Sequence, residues 1–291
     1  MGKILILGVS GMLGNAAYQL FAASEGWTVV GWARNLDGLE FLPRTSTASI
    51  AGGLDIADRG SLLARIEAER PDIVLNCIGV IKQLSEAKDP VISIEINALF
   101  PHHLARMCAA TGARLIHIST DCVFNGRSGM YRETDQSDAE DFYGRTKYLG
   151  EVDSDHAITL RTSIIGHEVR TAVSLLDWFL SQPGPSVKGY ANAIFSGLTT
   201  VEVSRVIRDV VLPRPDMRGL WHVASTPIDK LSLLRLIADV YGKQIEIVPD
   251  YAVKIDRSLN AERFRRETGY EAPAWPELIE DMHAQAALRH P

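Results

Sequence analysis

The sequence is poor in cysteine and has no long apolar run, and both absences exclude classes of protein. Its three cysteines, Cys77, Cys108 and Cys122, are an odd number without C-x-x-C spacing, which argues against a disulfide framework or a structural zinc site and fits a reducing compartment. No stretch approaches the roughly 18 uninterrupted apolar residues of a membrane span, and the apolar run near Met1 is too short for a secretory signal. We therefore expect a cytoplasmic protein with no membrane partner.

A large excess of one charge is also missing. The formal net charge of the 291 residues is -6, so no overall field favours a nucleic-acid partner. Hydrophobic residues make up 46% of the chain, which is enough to bury a sizeable core and argues against a disordered protein. An anionic ligand would have to be held by backbone donors and a few local cations.

Short apolar runs alternate with helical patterns over the first half of the chain. Residues 73–78 and 115–118 are almost entirely apolar, which is typical of strands covered on both faces. The alternation predicts an α/β protein with a Rossmann-type, doubly wound parallel sheet. Residues 181–193, rich in glycine, proline and polar side chains, are predicted to form a loop. The strands are predicted at 3–7, 28–32, 73–78, 114–119, 157–161 and 219–224, and the helices at 13–23, 61–69, 91–111, 143–153, 200–211 and 231–241.

A glycine motif of the G-x-x-G-x-x-G type follows the first predicted strand and runs into a helix. Glycine permits a tight turn and lets backbone N–H groups approach a pyrophosphate, while the helix N-terminus adds a favourable dipole. The alternative is a turn that serves helix packing only. The predicted dinucleotide contacts in this motif are Gly8, Ser10, Gly11, Met12, Leu13 and Gly14.

Arg34 indicates which dinucleotide this site would prefer. It lies twenty residues after Gly14, at the end of the second predicted strand. An acidic residue there would bind a ribose 2′-hydroxyl, whereas arginine accepts a 2′-phosphate, so NADP(H) is favoured over NAD(H). The alternative is a solvated loop arginine. Asp55 and Ile56 are predicted to face the adenine, with turn chemistry and a helix cap at Asp58 as an equal alternative.

A tyrosine and a lysine four residues apart begin another predicted helix. This spacing puts Tyr143 and Lys147 on one helical face, and an ammonium about 5 Å from a phenol would lower the pKa of that phenol by roughly two units. The alternative is an exposed helix pair. Ser119 and Thr120 end a buried strand, where hydroxyls can point at a substrate carbonyl because open parallel sheets bind ligands at such ends. Residues 76–79 end the preceding strand and would border the same crevice.

The motifs and their order resemble the extended short-chain dehydrogenases, and within them the dTDP-4-dehydrorhamnose reductase group. The resemblance rests on GVSGMLG, NCIG, IHISTDCVFNG, a Y-x-E-x-D segment at 131–135, YGRTKYLGE and LRTSIIG, and it spans most of the chain. It implies a Rossmann domain over 1–165, rejoined by 195–226, and a smaller, discontinuous C-terminal substrate domain over 166–194 and 227–291. The catalytic residues that it implies are Thr120, Tyr143 and Lys147, and further cofactor contacts are Cys77, Ile78, Gly79, Asn97 and Ser119, with Asn97 helping to hold a proton-relay water.

The resemblance also implies an activity. An NAD(P)-dependent oxidoreductase of this group would transfer a hydride from NADPH to the C4 ketone of a nucleotide-activated 4-keto-6-deoxysugar, with Tyr143 as proton donor. A homodimer is expected. Two alternatives are a nucleotide-sugar 4-epimerase with bound NAD and a non-catalytic, dinucleotide-binding regulatory subunit.

Substrate contacts are predicted where the sequence departs from the group. Cys122 replaces an aromatic residue, and residues 80–83 replace an apolar or small turn, so the hexose is left open. Among the C-terminal cations Lys188, Arg257 and Arg263, Arg257 is expected to bind the diphosphate, the alternative being a surface pair with Asp256 or Glu262. No metal site is predicted, since the adjacent His102 and His103 point in different directions. The predicted substrate contacts are Lys82, Thr120, Asp121, Cys122 and Arg257.

Overall fold

The structure is a computed structural model that describes residues 2–81 and 89–287. Lys82, a predicted substrate contact, lies outside the described residues. The strands are β1 (Gly2–Leu7), β2 (Trp27–Trp32), β3 (Ala48–Ala51), β4 (Ile73–Asn76), β5 (Arg114–Thr120), β6 (Ala157–Thr162), β7 (Ile164–Ile165), β8 (Ser186–Phe195), β9 (Leu198–Thr199), β10 (Gly219–His222), β11 (Ile228–Asp229) and β12 (Glu246–Asp256).

The helices alternate with these strands along the chain. Two wider, π-helical turns, Ile94–Leu99 and Val206–Val211, lie within or extend longer helical segments, and a short 3-10 turn covers Asp121–Val123. The α-helices are α1 (Met12–Ala22), α2 (Arg59–Glu69), α3 (Pro90–Ser93), α4 (Phe100–Thr111), α5 (Phe142–Leu149), α6 (Leu175–Leu180), α7 (Thr200–Arg205), α8 (Lys230–Tyr241), α9 (Glu262–Thr268) and α10 (Trp275–Ala287). None of the helices within the described ranges is long and apolar enough to cross a bilayer.

Seven parallel strands form the central sheet, in the order β10-β6-β5-β4-β1-β2-β3. Along the chain, β2 and β3 are added on one side of β1, and β4, β5, β6 and β10 are added on the other side. This topology confirms the predicted doubly wound α/β fold. The strand order reverses between β1 and β4. In open parallel sheets, ligands bind in the crevice at the carboxyl ends of the strands beside such a reversal.

Each face of the central sheet packs against its own set of helices. Because successive strand residues point to opposite faces, Ile4 and Ile6 enter one core with α1, α7, α8 and α10, whereas Leu5 and Leu7 enter the other with α2 and α4. All four side chains are fully buried, and each such burial contributes about 1.5–3 kcal/mol. The sandwiched sheet is thus a rigid platform for residues at its carboxyl edge.

A second, smaller sheet has the order β11-β8-β12, and it corrects one prediction. Residues 181–193 were expected to be a loop, yet most of them belong to β8, which pairs with β12 and β11. Pro183 and Pro185 precede the strand and do not interrupt it. β10 lies beside β6 in the central sheet. The domain boundaries proposed from the sequence remain a prediction.

Candidate active site

The glycine motif forms a close turn between β1 and α1. Gly8 has a φ of +87°, and its carbonyl accepts a hydrogen bond of 3.0 Å from the Gly11 N–H. A Cβ on Gly14 would lie 2.2 Å from the same carbonyl oxygen, so only glycine lets the helix approach this closely. No described side chain caps α1, which leaves first-turn N–H groups for a ligand. Leu13 is buried in the core, so it offers the site its backbone rather than its side chain.

Arg34 lies at the exit of β2 and is exposed. Its carbonyl accepts a hydrogen bond of 2.9 Å from Gly53, while its guanidinium makes no hydrogen bond or ion pair with residues 2–81 or 89–287. Asp55 accepts a 2.9 Å hydrogen bond from Ala57, and Asp58 caps α2 by accepting one of 2.9 Å from Ser61. The turn chemistry at Asp55 and Asp58 is therefore present, and adenine contact by Asp55 and Ile56 remains a prediction.

The side chain of Asn97 holds the loop after β4 in place. The amide oxygen of Asn97 accepts from the Val80 N–H at 2.9 Å, and its amide nitrogen donates to the Val80 carbonyl at 3.0 Å. Asn97 is only 1% exposed, and both of these bonds hold the backbone of the loop; its contact with a cofactor remains a prediction. Cys77 is held against β1 by a 3.0 Å hydrogen bond to Leu7, while Gly79 is exposed.

Helix α5 brings the candidate catalytic residues together. Asp141 caps this helix by accepting a 2.8 Å hydrogen bond from the Gly144 N–H. A Cβ on Gly144 would lie 2.1 Å from the Cys122 carbonyl oxygen, so glycine is needed for α5 to dock on the turn after β5. The Tyr143 phenol lies near enough to the Thr120 hydroxyl for this hydroxyl to act on its pKa, and the Lys147 ammonium donates to the Ile118 carbonyl at 2.7 Å.

Burial controls the protonation of this pair, in a direction that the sequence did not predict. It raises the pKa of the Tyr143 phenol above its usual value; nearby Cys122 raises it further, and the hydrogen bond with Thr120 opposes the change. Burial also lowers the pKa of Lys147 to about 8, against the opposing effects of Glu151 and Cys77. The pKa of the phenol is therefore not lowered overall, in contrast to the prediction from the sequence, because burial dominates and the Lys147 ammonium is bound to Ile118. At neutral pH Tyr143 is a protonated phenol, the form that donates a proton.

Ser119 belongs to a buried polar network that the sequence did not indicate. Its hydroxyl donates to Glu151 at 2.7 Å, and the Glu151 carboxylate receives two hydrogen bonds of 2.6 Å each from Arg161. Arg161 also lies 3.3 Å from the His222 ring nitrogen. The Ser119 hydroxyl is thus bound to Glu151 and the residue is buried; its contact with a cofactor remains a prediction. The available signal was an acidic residue four positions after Lys147 and an arginine inside an apolar strand.

Arg257 reaches the edge of the site next to the catalytic residues. Its Nε donates to the Phe124 carbonyl at 2.7 Å, Nη1 lies 3.8 Å from the Cys122 sulfur, and Nη2 lies 3.9 Å from an Asp141 carboxylate oxygen. The alternative surface pairing with Asp256 or Glu262 is not observed within the described chain. Lys188 instead pairs with Asp250 at 3.0 Å, and Arg263 stacks on Trp221 at 3.8 Å.

Asp121 and Cys122 connect Arg257 with Thr120. An Asp121 carboxylate oxygen accepts a 3.1 Å hydrogen bond from the Thr120 hydroxyl, and burial raises the pKa of Asp121 while Arg257 opposes that change. Burial raises the pKa of the Cys122 thiol to about 12, so this thiol is neutral. Within the described ranges no group of three or more His, Cys, Asp or Glu side chains is placed to hold a metal ion.

Solved structures with the same fold were found over nearly the whole chain. The dTDP-4-dehydrorhamnose reductase of Bacillus anthracis in complex with NADP superposes with a TM-score of 0.80 at 20% identity, covering 98% of each chain. The Bordetella bronchiseptica enzyme WbmG in complex with NAD and UDP superposes with a TM-score of 0.79 at 17% identity, covering 99% of this chain and 94% of that one. At such low identities these likenesses show the fold alone.

Curated relatives include two kinds of protein. A dTDP-4-dehydrorhamnose reductase of Streptomyces griseus is 33% identical over 167 residues, or 55% of this chain and 52% of that protein. The methionine adenosyltransferase 2 subunit beta of Xenopus tropicalis is 29% identical over 151 residues, or 51% of this chain and 41% of that protein. The chain thus spans about half the length of these two relatives or less. The family model described as RmlD substrate binding domain matches residues 2–287. The chain therefore belongs to the RmlD substrate binding domain family of extended short-chain dehydrogenases.

Proposed function

We propose that this chain is an NAD(P)H-dependent reductase of a nucleotide-activated 4-keto-6-deoxysugar. The observation that carries the proposal is that the Tyr143 phenol lies near the Thr120 hydroxyl and on the same helix as Lys147, at the carboxyl edge of the central sheet. A protonated phenol and a second hydroxyl donor suit the reduction of a ketone, whose oxygen gains negative charge. Membership of the reductase family and the reductases among its relatives support the same reaction.

The turn between β1 and α1 fits a dinucleotide. Gly8 and Gly14 have no Cβ, so the turn can pack closely. The first turn of α1 presents backbone N–H groups that no described side chain caps. Residues 8–14 would hold the pyrophosphate, and Lys147 would bond the nicotinamide ribose. When bound, the nicotinamide group supplies the hydride. The guanidinium of Arg34, exposed and without an ion pair to residues 2–81 and 89–287, favours NADP(H) over NAD(H).

The side chains of this chain would handle the proton and the charge. Tyr143, protonated at neutral pH, gives its proton to the C4 oxygen as the ketone becomes an alcohol. Thr120 donates a hydrogen bond to the same oxygen and so stabilises the charge that develops on it. The Lys147 ammonium, held by the Ile118 carbonyl, places a positive charge near the phenolate that remains. A positioned proton donor of this kind contributes about 10²–10⁴-fold to the rate.

The substrate would lie between the catalytic residues and Arg257. A nucleoside diphosphate carries at least two negative charges, so a protein of net charge -6 must meet it with a local cation. Arg257 is the cation that borders Cys122 and Asp141 at this edge. Asp121 and Cys122 line the path from Arg257 to Thr120 and would contact the sugar. Because these two residues are small compared with an aromatic side chain, we expect the pocket to accept a substituted hexose.

A panel of nucleotide sugars tests the proposal. The purified chain is mixed with NADPH and with dTDP-, UDP- or GDP-linked 4-keto-6-deoxysugars, and loss of NADPH absorbance is followed. We expect turnover with at least one sugar and formation of the 4-hydroxy product. Absence of turnover with every sugar, for NADPH and NADH alike, would contradict the proposal. Bound NAD after purification and interconversion of C4 epimers without net consumption of NADPH would instead identify a 4-epimerase.

A second candidate is a non-catalytic regulatory subunit. The observation that favours it is the similarity to methionine adenosyltransferase 2 subunit beta proteins, which for the Danio rerio protein extends over 257 residues at 26% identity, or 82% of this chain and 74% of that protein. The presence of Thr120, Tyr143 and Lys147 together argues for the reductase. Binding of NADPH and of a methionine adenosyltransferase, without turnover of any sugar, would identify the subunit.

A further inference from the structure

A buried carboxylate and the candidate catalytic lysine are bound to neighbouring residues of β5, since Lys147 donates to the Ile118 carbonyl and Ser119 donates to Glu151. Glu151 follows the end of α5, four residues after Lys147. Its side chain is 10% exposed, and its oxygens accept hydrogen bonds from Ser119 on β5 and from Arg161 on β6 at 2.6–2.7 Å. These contacts fix the carboxylate to two strands of the central sheet, so it cannot rotate into solvent.

Arg161, which binds Glu151, also contacts two aromatic rings. One of its nitrogens lies 3.3 Å from the His222 ring, and its guanidinium lies 5.2 Å from the centre of the Phe124 ring. Burial lowers the pKa of Lys147, and the negative charge of Glu151 is the larger of the two influences that oppose this change. The other influence is the Cys77 thiol.

The remaining titratable groups around Lys147 are neutral. Burial raises the pKa of the Cys77 thiol after β4 to about 12. On β5, burial and the positive charge of Lys147 hold the pKa of His117 well below its usual value. The Tyr143 phenol on α5 is protonated, as described above. Of the two groups that raise the pKa of Lys147, Glu151, in its ion pair with Arg161, is thus the charged one.

A buried ammonium without a nearby anion loses its proton, because transfer out of water disfavours the charged form. We propose that Glu151, fixed by Arg161 and Ser119, is a positioning residue that supplies the negative charge holding Lys147 in its ammonium form. The inference rests on the proposed function, in which the Lys147 ammonium bonds the nicotinamide ribose. Glu151 itself touches neither cofactor nor substrate and acts through Lys147.

Cofactor affinity measured against pH tests this role. The dissociation constant of NADPH is measured by its fluorescence from pH 6 to 10 for the wild type, Glu151→Gln, Arg161→Met and the double variant, with melting temperatures alongside. We expect wild-type affinity to fall as the pH rises through about 8, where Lys147 loses its proton. Lys147→Met should remove this pH dependence, which assigns it to Lys147.

The charge of residue 151 should determine the pH at which NADPH affinity is half lost, called the midpoint below. Glu151→Gln removes the anion and should move the midpoint down by about 1–3 pH units, whereas Arg161→Met keeps the anion and should not lower it. Glu151→Gln leaves Arg161 buried and unpaired, which is destabilising. The double variant removes both charges, so it should melt higher than Glu151→Gln while keeping the low midpoint.

Three results would overturn the inference. The first is a double variant whose NADPH affinity has the same midpoint pH as the wild type. The second is a midpoint pH that falls as far in Arg161→Met as in Glu151→Gln. The third is a midpoint pH that changes in parallel with the melting temperature across the four proteins. Failure of the proposed function gives a different result: the wild type then reduces no nucleotide sugar with NADPH or NADH, whatever the midpoints of the four proteins.

Discussion

Two arginines border the candidate site, and they lie on opposite sides of the neighbouring strands β1 and β4. Arg34 follows β2 and makes no ion pair within the described chain, whereas Arg257 is held beside Cys122 and Asp141. Since a charge-assisted contact requires close approach, each arginine should act on only one of two ligands. This separation leads to two predictions at the scale of single residues.

Replacement of Arg34 by alanine should affect only the cofactor that carries a 2′-phosphate. We expect NADPH binding to weaken by about 1.5–3 kcal/mol, or roughly 10- to 150-fold in Kd, and NADH binding to stay the same. Fluorescence titration of both cofactors measures the two effects. Arg106→Ala, which removes an exposed arginine from α4, is the control for net charge. Equal losses for NADPH and NADH would contradict the assignment.

Replacement of Arg257 by alanine should affect the nucleotide sugar and not the cofactor. We expect KM for the sugar to rise about tenfold or more, since one charged hydrogen bond amounts to about 1.5–3 kcal/mol. The Kd of NADPH should not change. Lys188→Ala, at a surface pair with Asp250, is the matched control. An unchanged KM in Arg257→Ala would remove this residue from the substrate site.

At the scale of elements, the packing of α5 on the turn after β5 places the candidate catalytic residues close together. A Cβ at Gly144 would collide with the backbone after β5, and backbone cannot yield as a flexible side chain would. Gly144→Ala should therefore displace α5 and lower kcat strongly, with a loss of about 1–3 kcal/mol in the free energy of unfolding. In the control Gly60→Ala, on α2, the nearest atom to the new Cβ is 3.8 Å away, so kcat should stay the same. Denaturant unfolding and steady-state kinetics measure both variants, and normal kcat in Gly144→Ala would refute this account of the helix.

The elements that could be predicted from the sequence are those whose burial leaves a local pattern. β4 and residues 115–118 of β5 are mostly apolar because helices cover both faces, and the prediction of these strands is confirmed. β3, β8 and β12 were missed. β12 is largely exposed and β3 has only four residues, so neither leaves a long apolar run, and the pairing of β8 with β12 joins segments about 60 residues apart.

The same distinction holds for the site, seen at the scale of the whole molecule. Tyr143 and Lys147 could be found because their spacing on one helix is local. The network of Ser119, Glu151 and Arg161 could not, because it joins three separate elements through the fold. The direction of the Tyr143 pKa was also missed, since it depends on how deeply the assembled protein buries the phenol.

We also expect the molecule to form a homodimer. Val91, Leu99 and Leu149 are 76%, 43% and 60% exposed, and they lie on α3, the adjoining π-helical turn and α5, which pack against one another. Exposed apolar side chains on packed helices favour a protein interface. Leu149→Glu should convert a dimer into a monomer in sedimentation velocity, whereas Val248→Glu on β12 should not. A monomeric wild type, or a dimer that persists in Leu149→Glu, would rule out this interface.

The most direct test of the account is the kinetics of Tyr143→Phe. This change removes one hydroxyl and keeps the ring, so the variant should bind NADPH normally and lose at least about two orders of magnitude in kcat, because it lacks the proton donor. Tyr148→Phe removes a hydroxyl from an exposed tyrosine on the same helix and should retain full turnover. Both variants are assayed with the sugar that the wild type reduces. Turnover near the wild-type rate in Tyr143→Phe would contradict the proposed mechanism.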